Sequence, residues 1–374
     1  MRKVKIAVSF ILLFAALSLG AYAAESDSAY DSQLEVSGAQ GIYDGLDSEI
    51  KDGLDELGVS GADFSSLYDL SPKKIFSFIS DAASGSLEQP SESLVKLLSV
   101  IIVISIGSCF MPDDERMKSI MNMTAALLCI SAVIVPLFRS AEAAVSSIGT
   151  SCVFIKTLIP VLAGVISASG KPSLALSFQS WGFTAAQVIS ALSESYIMPA
   201  VGAVLALDIT GSLMPSFKLS GITELIKKTV TAVMSFTATM YVSFLGLKGA
   251  LANSADSLAT KGIKLVISSA IPVVGGAVSE AYSGIIGSLV LVKSTVGIFG
   301  IIVISIITLP SVVQLLFWIF ALKIGAAASE LFNLDGVSQL LKSLSSAVTL
   351  LNVVLIFNAV LFIISLALII SMSR

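Results

Sequence analysis

Long apolar runs separated by short polar stretches occupy most of the chain after residue 93. Five nearly uncharged runs are each long enough to cross about 30 Å of hydrocarbon as a helix: 94–111, 119–138, 229–247, 285–309 and 348–371. Five more contain Pro, Gly or a charge, which leaves spans, half-spans and re-entrant pairs open: 152–169, 174–193, 195–214, 265–283 and 310–329. The pattern predicts an all-α, polytopic transmembrane domain over residues 94–374.

Four stretches between these runs are amphipathic: 139–151, 216–228, 248–264 and 330–346. In the last of them the apolar residues share one helical face: Leu331, Leu334, Val337, Leu340, Leu341 and Leu344. Lysine pairs at 227/228 and 261/264 suit contact with anionic lipid. We therefore predict interfacial amphipathic helices that contact the lipid bilayer.

The first 23 residues have the order of a secretory signal peptide. Arg2, Lys3 and Lys5 precede an apolar run from Ile6 to Leu19, and Ala21-Tyr22-Ala23 is an A-x-A site. This order predicts cleavage after Ala23 and export of residues 24–93. The alternative is an uncleaved signal anchor.

The expected exported segment, residues 24–93, carries 15 acidic and three basic residues, although the whole chain has a net charge of only -4. Its apolar residues at spacings of three and four predict one helical face: Ile42, Leu46, Ile50, Leu54 and Leu57. Ser71-Pro72 predicts the start of a second short helix. This is too little apolar surface for an independent core, so we expect packing on the membrane domain or on a partner. A solvated segment without a partner is the alternative.

Composition supports the membrane assignment and excludes most catalytic chemistry. The chain is 55% hydrophobic and 13% charged, against about 25% charged in soluble domains. It has no histidine and only three cysteines, none in a C-x-x-C pair, which argues against imidazole catalysis and metal sites. The stretch from Gly164 to Lys171 fails the spacing of a phosphate-binding loop. We therefore expect no enzyme activity, cofactor, metal or nucleic-acid partner.

Two segments repeat at an interval of 112 residues, counted from Pro160 to Pro272. Ile159–Ser167 and Ile271–Ser279 share Ile, Pro, Val, Gly and Ser at matching positions. Paired Pro- and Gly-broken segments are typical of duplicated transporter folds, and chance similarity is the alternative. The candidate structural or conduit residues are Pro160, Gly164, Pro272, Gly275 and Gly276, together with Ser279, Ser283 and Gly287, which continue a small-residue stripe from Gly275 that would permit close helix approach.

Charged residues inside apolar runs are the remaining candidates, because burying them is costly. Lys293 lies about nine residues into its run, Glu280 precedes that run, and Asp208 lies within 195–214. Pairing of Lys293 with Glu280 or Asp208 would offset the desolvation cost. Either an internal salt bridge or a water-lined conduit would explain these charges.

The chain resembles the stage III sporulation protein AE family of endospore-forming Firmicutes. The resemblance is carried most specifically by Ile271-Pro272-Val273-Val274-Gly275-Gly276, by Ser279-Glu280-Ala281 and Gly287-Ser288, and by Leu291-Val292-Lys293 with Val296-Gly297. The residues after Glu280 are less typical of the family.

This resemblance implies a multi-pass protein of the mother-cell membrane around the forespore. It also implies that the protein is a structural or permease-like subunit of a channel complex needed for late forespore development. A separate ATPase would be another subunit of that complex. The alternative function is a self-sufficient secondary transporter.

Overall fold

The computed structural model describes residues 28–59, 72–110, 115–213, 219–270 and 275–372, and these are helical, with no strand among them. The expected signal peptide lies outside the described residues. The helices are α1 (Ser28–Val36), α2 (Ala39–Asp44), α3 (Ser48–Glu56), α4 (Pro72–Cys109), α5 (Glu115–Ala168), α6 (Pro172–Leu192), α7 (Met198–Leu213), α8 (Ser220–Ala270), α9 (Gly275–Leu331) and α10 (Asp335–Met372). A π-helical turn, Ser193–Ile197, joins α6 to α7.

Six helical stretches in the described residues are long and apolar enough to cross a membrane: Lys73–Gly107, Ile120–Ala168, Pro172–Gly211, Ser220–Ala259, Gly284–Leu331 and Asp335–Ser371. The chain is therefore an all-α, multi-pass membrane protein. Nine of the ten apolar segments of the sequence fall mainly within these six stretches, whereas the segment 265–283 lies between the fourth and the fifth of them. The amphipathic connecting stretches continue long helices rather than forming elements of their own.

Proline does not break the long helices at Pro160 or Pro310, where the sequence suggested interruptions. Pro136 and Pro160 lie inside α5, and Pro310 lies inside α9. Proline removes one backbone donor and costs about 3 kcal/mol in a helix interior. Around Pro310 this cost is offset by packing, because the neighbouring Leu309, Ser311 and Val312 are buried. The first repeated segment is a continuous part of α5. Residues 271–274 of the second repeated segment lie outside the described residues.

The central helix α9 runs parallel to α4 and antiparallel to α5 and α10. The hydroxyl of Ser86 on α4 donates to the Pro310 carbonyl, 3.3 Å away. The indole N–H of Trp318 donates to the Ser140 hydroxyl of α5 at 2.8 Å. Towards the other end of α9, Lys293 contacts the last turn of α10. The start of α4 and the end of α10 therefore lie at the same end of the bundle.

Glycines on α9 permit its closest helix contacts. A Cβ atom at Gly300 would lie 2.5 Å from Leu158 Cδ2 of α5 and 3.0 Å from Leu366 Cδ1 of α10. One at Gly297 would lie 2.7 Å from the Ile370 side chain. Small residues at such positions let helix backbones approach closely. These positions, rather than Gly287, where a Cβ would meet open space, are where α9 is tightly packed.

The apolar stripe of the acidic segment is buried, as its spacing predicts. Ile42, Leu46, Ile50, Leu54 and Leu57 are all at most 9% exposed. Ile42 lies in α2, and Ile50 and Leu54 lie in α3, whereas Leu46 lies in the turn between these helices and Leu57 follows α3. The expected second short helix is instead the first part of the 38-residue α4.

Candidate functional site

Lys293 is fully buried, with 0% of its surface exposed. Its ammonium group donates to the carbonyl oxygens of Ile369 and Ile370 at 3.1 and 3.3 Å. The last carbonyls of a helix lack donors from within the helix, and a cation at a helix C-terminus is also favoured by the helix dipole. Lys293 therefore caps the C-terminal turn of α10 from the neighbouring helix.

The two acids considered as partners for Lys293 have different positions. Asp208 is buried and forms an ion pair with Lys227, with 3.3 Å between Asp208 Oδ2 and Lys227 Nζ. This pair ties α7 to α8 on either side of residues 214–218. Glu280 lies in the first turns of α9, and its side chain is outside the described part of the structure. The same holds for the side chains of Ser279 and Ser283.

The first helix of the acidic segment lies against the part of α9 that contains Lys293. The hydroxyl of Tyr30 donates to Thr295 Oγ1 at 3.0 Å, and both residues are buried. One turn further along α1, Gln33 Oε1 accepts from the Ser288 hydroxyl at 2.7 Å. The acidic segment therefore packs against the membrane domain of its own chain.

The repeated segments do not form a matched pair of broken helices. Pro160 and Gly164 lie on an exposed face of α5. Gly164 lines a mostly apolar cavity of about 510 Å³ with residues of α1 and with Leu289 of α9. Pro272 is outside the described residues, and Gly275 and Gly276 begin α9. Gly164 therefore lies near Leu289 of α9 at this cavity, and residues of α1 form another part of the cavity wall.

An acid-lined cavity of about 500 Å³ separates α3 from α4, α5 and α9. Its acidic residues are all exposed: Asp47, which precedes α3, Glu49, Asp52 and Glu56 of α3, and Asp81 of α4. Hydroxyl groups of α5 and Ser311 of α9 line the opposite wall. Within the described residues, no group of three or more His, Cys, Asp or Glu side chains is placed to hold a metal ion. Sequence reasoning found the acidic residues but not the cavity, which depends on how α3 docks.

A polar cluster joins the α5–α6 turn to α8. Asp256 of α8 is buried and accepts from the backbone N–H groups of Ser173 and Leu174 at 3.2 and 2.8 Å. Lys171 donates to Asn253 Oδ1 at 2.8 Å. Burial lowers the pKa of Lys171, and the Asp256 charge partly opposes that shift. Asp256 acts as an N-cap supplied by another helix, an arrangement that sequence spacing could not reveal.

The family model described as stage III sporulation protein AE matches residues 63–373. The chain belongs to the stage III sporulation protein AE family. A curated relative, stage III sporulation protein AE of Bacillus subtilis (strain 168), is 24% identical over 282 residues, which cover 74% of this chain and 71% of the relative. No solved structure matches the chain. The family match begins after α1–α3, so the docked helices of the acidic segment lie outside it.

Proposed function

We propose that this sporulation protein is a structural or permease-like membrane subunit of a channel complex between the mother cell and the forespore. Its place would be the mother-cell membrane around the forespore, where the complex supports late forespore development. The observation that carries the proposal is the family match over residues 63–373, on a chain with six helices suited to crossing a membrane.

We propose an even number of crossings, with the exported segment and the C-terminus on the same side of the membrane. Six helices of alternating direction support this topology. So does the position of α1, whose Tyr30 lies against Thr295, two residues from the lysine that caps α10. With residues 24–93 outside the cytoplasm, Arg116 and Lys118 at the start of α5 would be cytoplasmic, in accord with the positive-inside rule.

The protein is proposed to act without enzyme activity of its own and to work with a separate ATPase subunit. Its partners would be the other membrane subunits of the complex and the lipid bilayer. The Ile42–Leu57 stripe is covered by this chain's own helices. A partner would therefore contact the acidic outer faces of α1–α3, and not that stripe.

Purification of tagged protein from sporulating cells tests the assembly. Co-purification of other membrane subunits and an ATPase is expected, and a deletion strain should fail in late forespore development. A protein that purifies alone and transports a solute when reconstituted into vesicles would support the secondary transporter instead. The repeated sequence of Ile159–Ser167 and Ile271–Ser279 is the observation that favours this second function, although the first of these segments is an unbroken part of α5.

A further inference from the structure

The uncovered face of α8 is apolar over a length that matches a bilayer. Lys228 and Lys248 are both exposed, and no charged residue lies between them. Their separation of 20 residues corresponds to about 30 Å of helix, the usual thickness of the hydrocarbon layer. Phe236, Met240 and Leu247 are exposed on the same stretch. Residues 229–247 therefore have the length of a lipid-facing segment, with lysines placed to reach the lipid–water boundary at each end.

Two side-chain contacts relate the depth of this stretch to the central helix. The hydroxyl groups of Ser365 on α10 and Tyr241 on α8 are hydrogen-bonded at 2.8 Å. A Cβ atom at Gly300 of α9 would lie 3.0 Å from Leu366 Cδ1 on α10. Tyr241 lies between the two α8 lysines, seven residues from Lys248. Gly300 is therefore at a similar depth, inside the layer that these lysines mark.

The acidic segment docks on α9 close to this depth. A Cβ atom at Gly53 of α3 would lie 2.8 Å from Ile306 Cγ2. Ile306 is six residues from Gly300, or about 9 Å along the helix. The nearer α8 lysine, Lys248, is about 10 Å along its helix from Tyr241. In either direction along the bundle, the α3 contact therefore lies inside the layer between the two lysines.

The outer face of α3 is acidic at this depth. Glu49, Asp52, Asp55 and Glu56 are exposed. Asp81 of α4 is exposed as well, and it lines the same cavity of about 500 Å³ as α3. Ionised carboxylates are costly against acyl chains, and these side chains are too short to reach a boundary as lysine can. The outer face of α3 therefore requires water beside it.

The acidic and the apolar surfaces lie on different parts of the bundle. The helices α1–α3 pack on α4, α5 and α9, whereas α8 packs on α6, α7, α9 and α10. One surface requires water and the other hydrocarbon at the same depth. A uniform layer of lipid around the bundle would satisfy α8 but not α3.

We propose that α3 and the first half of α4 face a water-filled space enclosed by protein within the membrane, whereas α8 faces lipid. The acidic surface is the wall that this chain contributes to a conduit. The proposal deepens the proposed channel function and rests on it for the other subunits that enclose the space. The surroundings of the two surfaces are measurable without an assay of sporulation.

Single cysteines in the same layer test the proposal by labelling. Asp52→Cys and Phe236→Cys replace exposed residues in a chain whose three native cysteines are changed to alanine. A cationic methanethiosulfonate reagent reacts with thiolates, which form in water and not in hydrocarbon. In membranes from lysed sporulating cells, we expect Asp52→Cys to react at least about tenfold faster than Phe236→Cys. Ser254→Cys, which lies on α8 beyond Lys248, should react as fast as Asp52→Cys.

Quenching by lipid distinguishes a lipid-facing α8 from one that is covered by protein. A bimane dye is attached to each cysteine, and the protein, purified from sporulating cells with its bound subunits, is returned to vesicles of phosphatidylcholine brominated on its acyl chains. The dye at Phe236→Cys should be quenched, and the dye at Asp52→Cys should not.

Three results would overturn the proposal: a reaction rate at Asp52→Cys no higher than at Phe236→Cys, quenching at Asp52→Cys, or no quenching at Phe236→Cys. Slow labelling of Ser254→Cys would also count against it, because the hydrocarbon layer would then extend beyond Lys248. A deletion strain that sporulates normally would instead contradict the proposed function, and the labelling and quenching results would still decide where water and lipid lie.

Discussion

The buried ammonium group of Lys293 lies 3.1 Å from the carbonyl oxygen of Ile369, although the two residues are 76 positions apart in the chain. The contact joins the central helix to the last turn of α10. It gives a buried lysine a structural partner that is a backbone carbonyl rather than a carboxylate. Lys293 thereby links α9 to α10.

Replacement of Lys293 by methionine should fray the end of α10. The side-chain volume is similar, but the carbonyls of Ile369 and Ile370 lose a charge-assisted donor, which costs about 1.5–3 kcal/mol per bond to a charged group before relief of the lysine's desolvation is counted. Hydrogen exchange in detergent should therefore speed up over residues 366–372.

Lys342→Met is the matched control, because Lys342 is an exposed lysine near the other end of α10 whose described partner is Glu330. In Lys342→Met, the rate of hydrogen exchange over residues 366–372 should stay as in the unmodified protein. Unchanged exchange at 366–372 in Lys293→Met would show that the cap contributes nothing to the helix end.

Gly300 and Gly287 should respond in opposite ways to alanine. At Gly300 the new Cβ would lie 2.5 Å from Leu158 and 3.0 Å from Leu366, and such overpacking costs roughly 1–3 kcal/mol. At Gly287 the Cβ meets open space, where alanine is favoured over glycine in a helix by about 1 kcal/mol. The thermal unfolding temperature in detergent should fall for Gly300→Ala and should stay the same or rise for Gly287→Ala. A drop of equal size for both variants would contradict this packing.

Asp256 should be needed for the start of α6. Alanine at this position leaves the backbone N–H groups of Ser173 and Leu174 without their acceptor, a loss of about 0.5–2 kcal/mol. Asp256→Asn keeps one acceptor oxygen and should lose less. The control is Glu224→Ala on the same helix, since the exposed Glu224–Lys228 pair is worth little. Urea unfolding in detergent that ranks Glu224→Ala below Asp256→Ala in stability would count against the capping role.

The sequence predicts local features of this protein better than the contacts between distant segments. The stripe from Ile42 to Leu57 correctly marks buried positions, because burial follows spacing, but it does not reveal the turn between Asp44 and Ser48. The runs 285–309 and 310–329 suggest two segments because Pro310 separates them. They form one helix because neighbours bury it.

The partners of Lys293 were beyond sequence reasoning for a related physical reason. A buried lysine is satisfied by any well-placed acceptor, including the carbonyls at the end of a distant helix. The sequence suggested acidic partners such as Asp208 for Lys293. In the structure, Asp208 forms an ion pair with Lys227 instead. The acid-lined cavity likewise depends on how α3 sits against three other helices.

Thiol labelling of intact cells tests the proposed topology most directly. Single cysteines replace Ser48 of α3, Ser371 near the end of α10, and Phe332 in the α9–α10 turn, all of which are exposed. An impermeant maleimide added to cells that have not begun engulfment should label Ser48→Cys and Ser371→Cys. Phe332→Cys should be labelled only after lysis. Labelling of Ser48→Cys and Phe332→Cys from the same side, or protection of Ser371→Cys while Ser48→Cys reacts, would contradict a six-crossing protein whose exported acidic segment and C-terminus lie on the same side of the membrane.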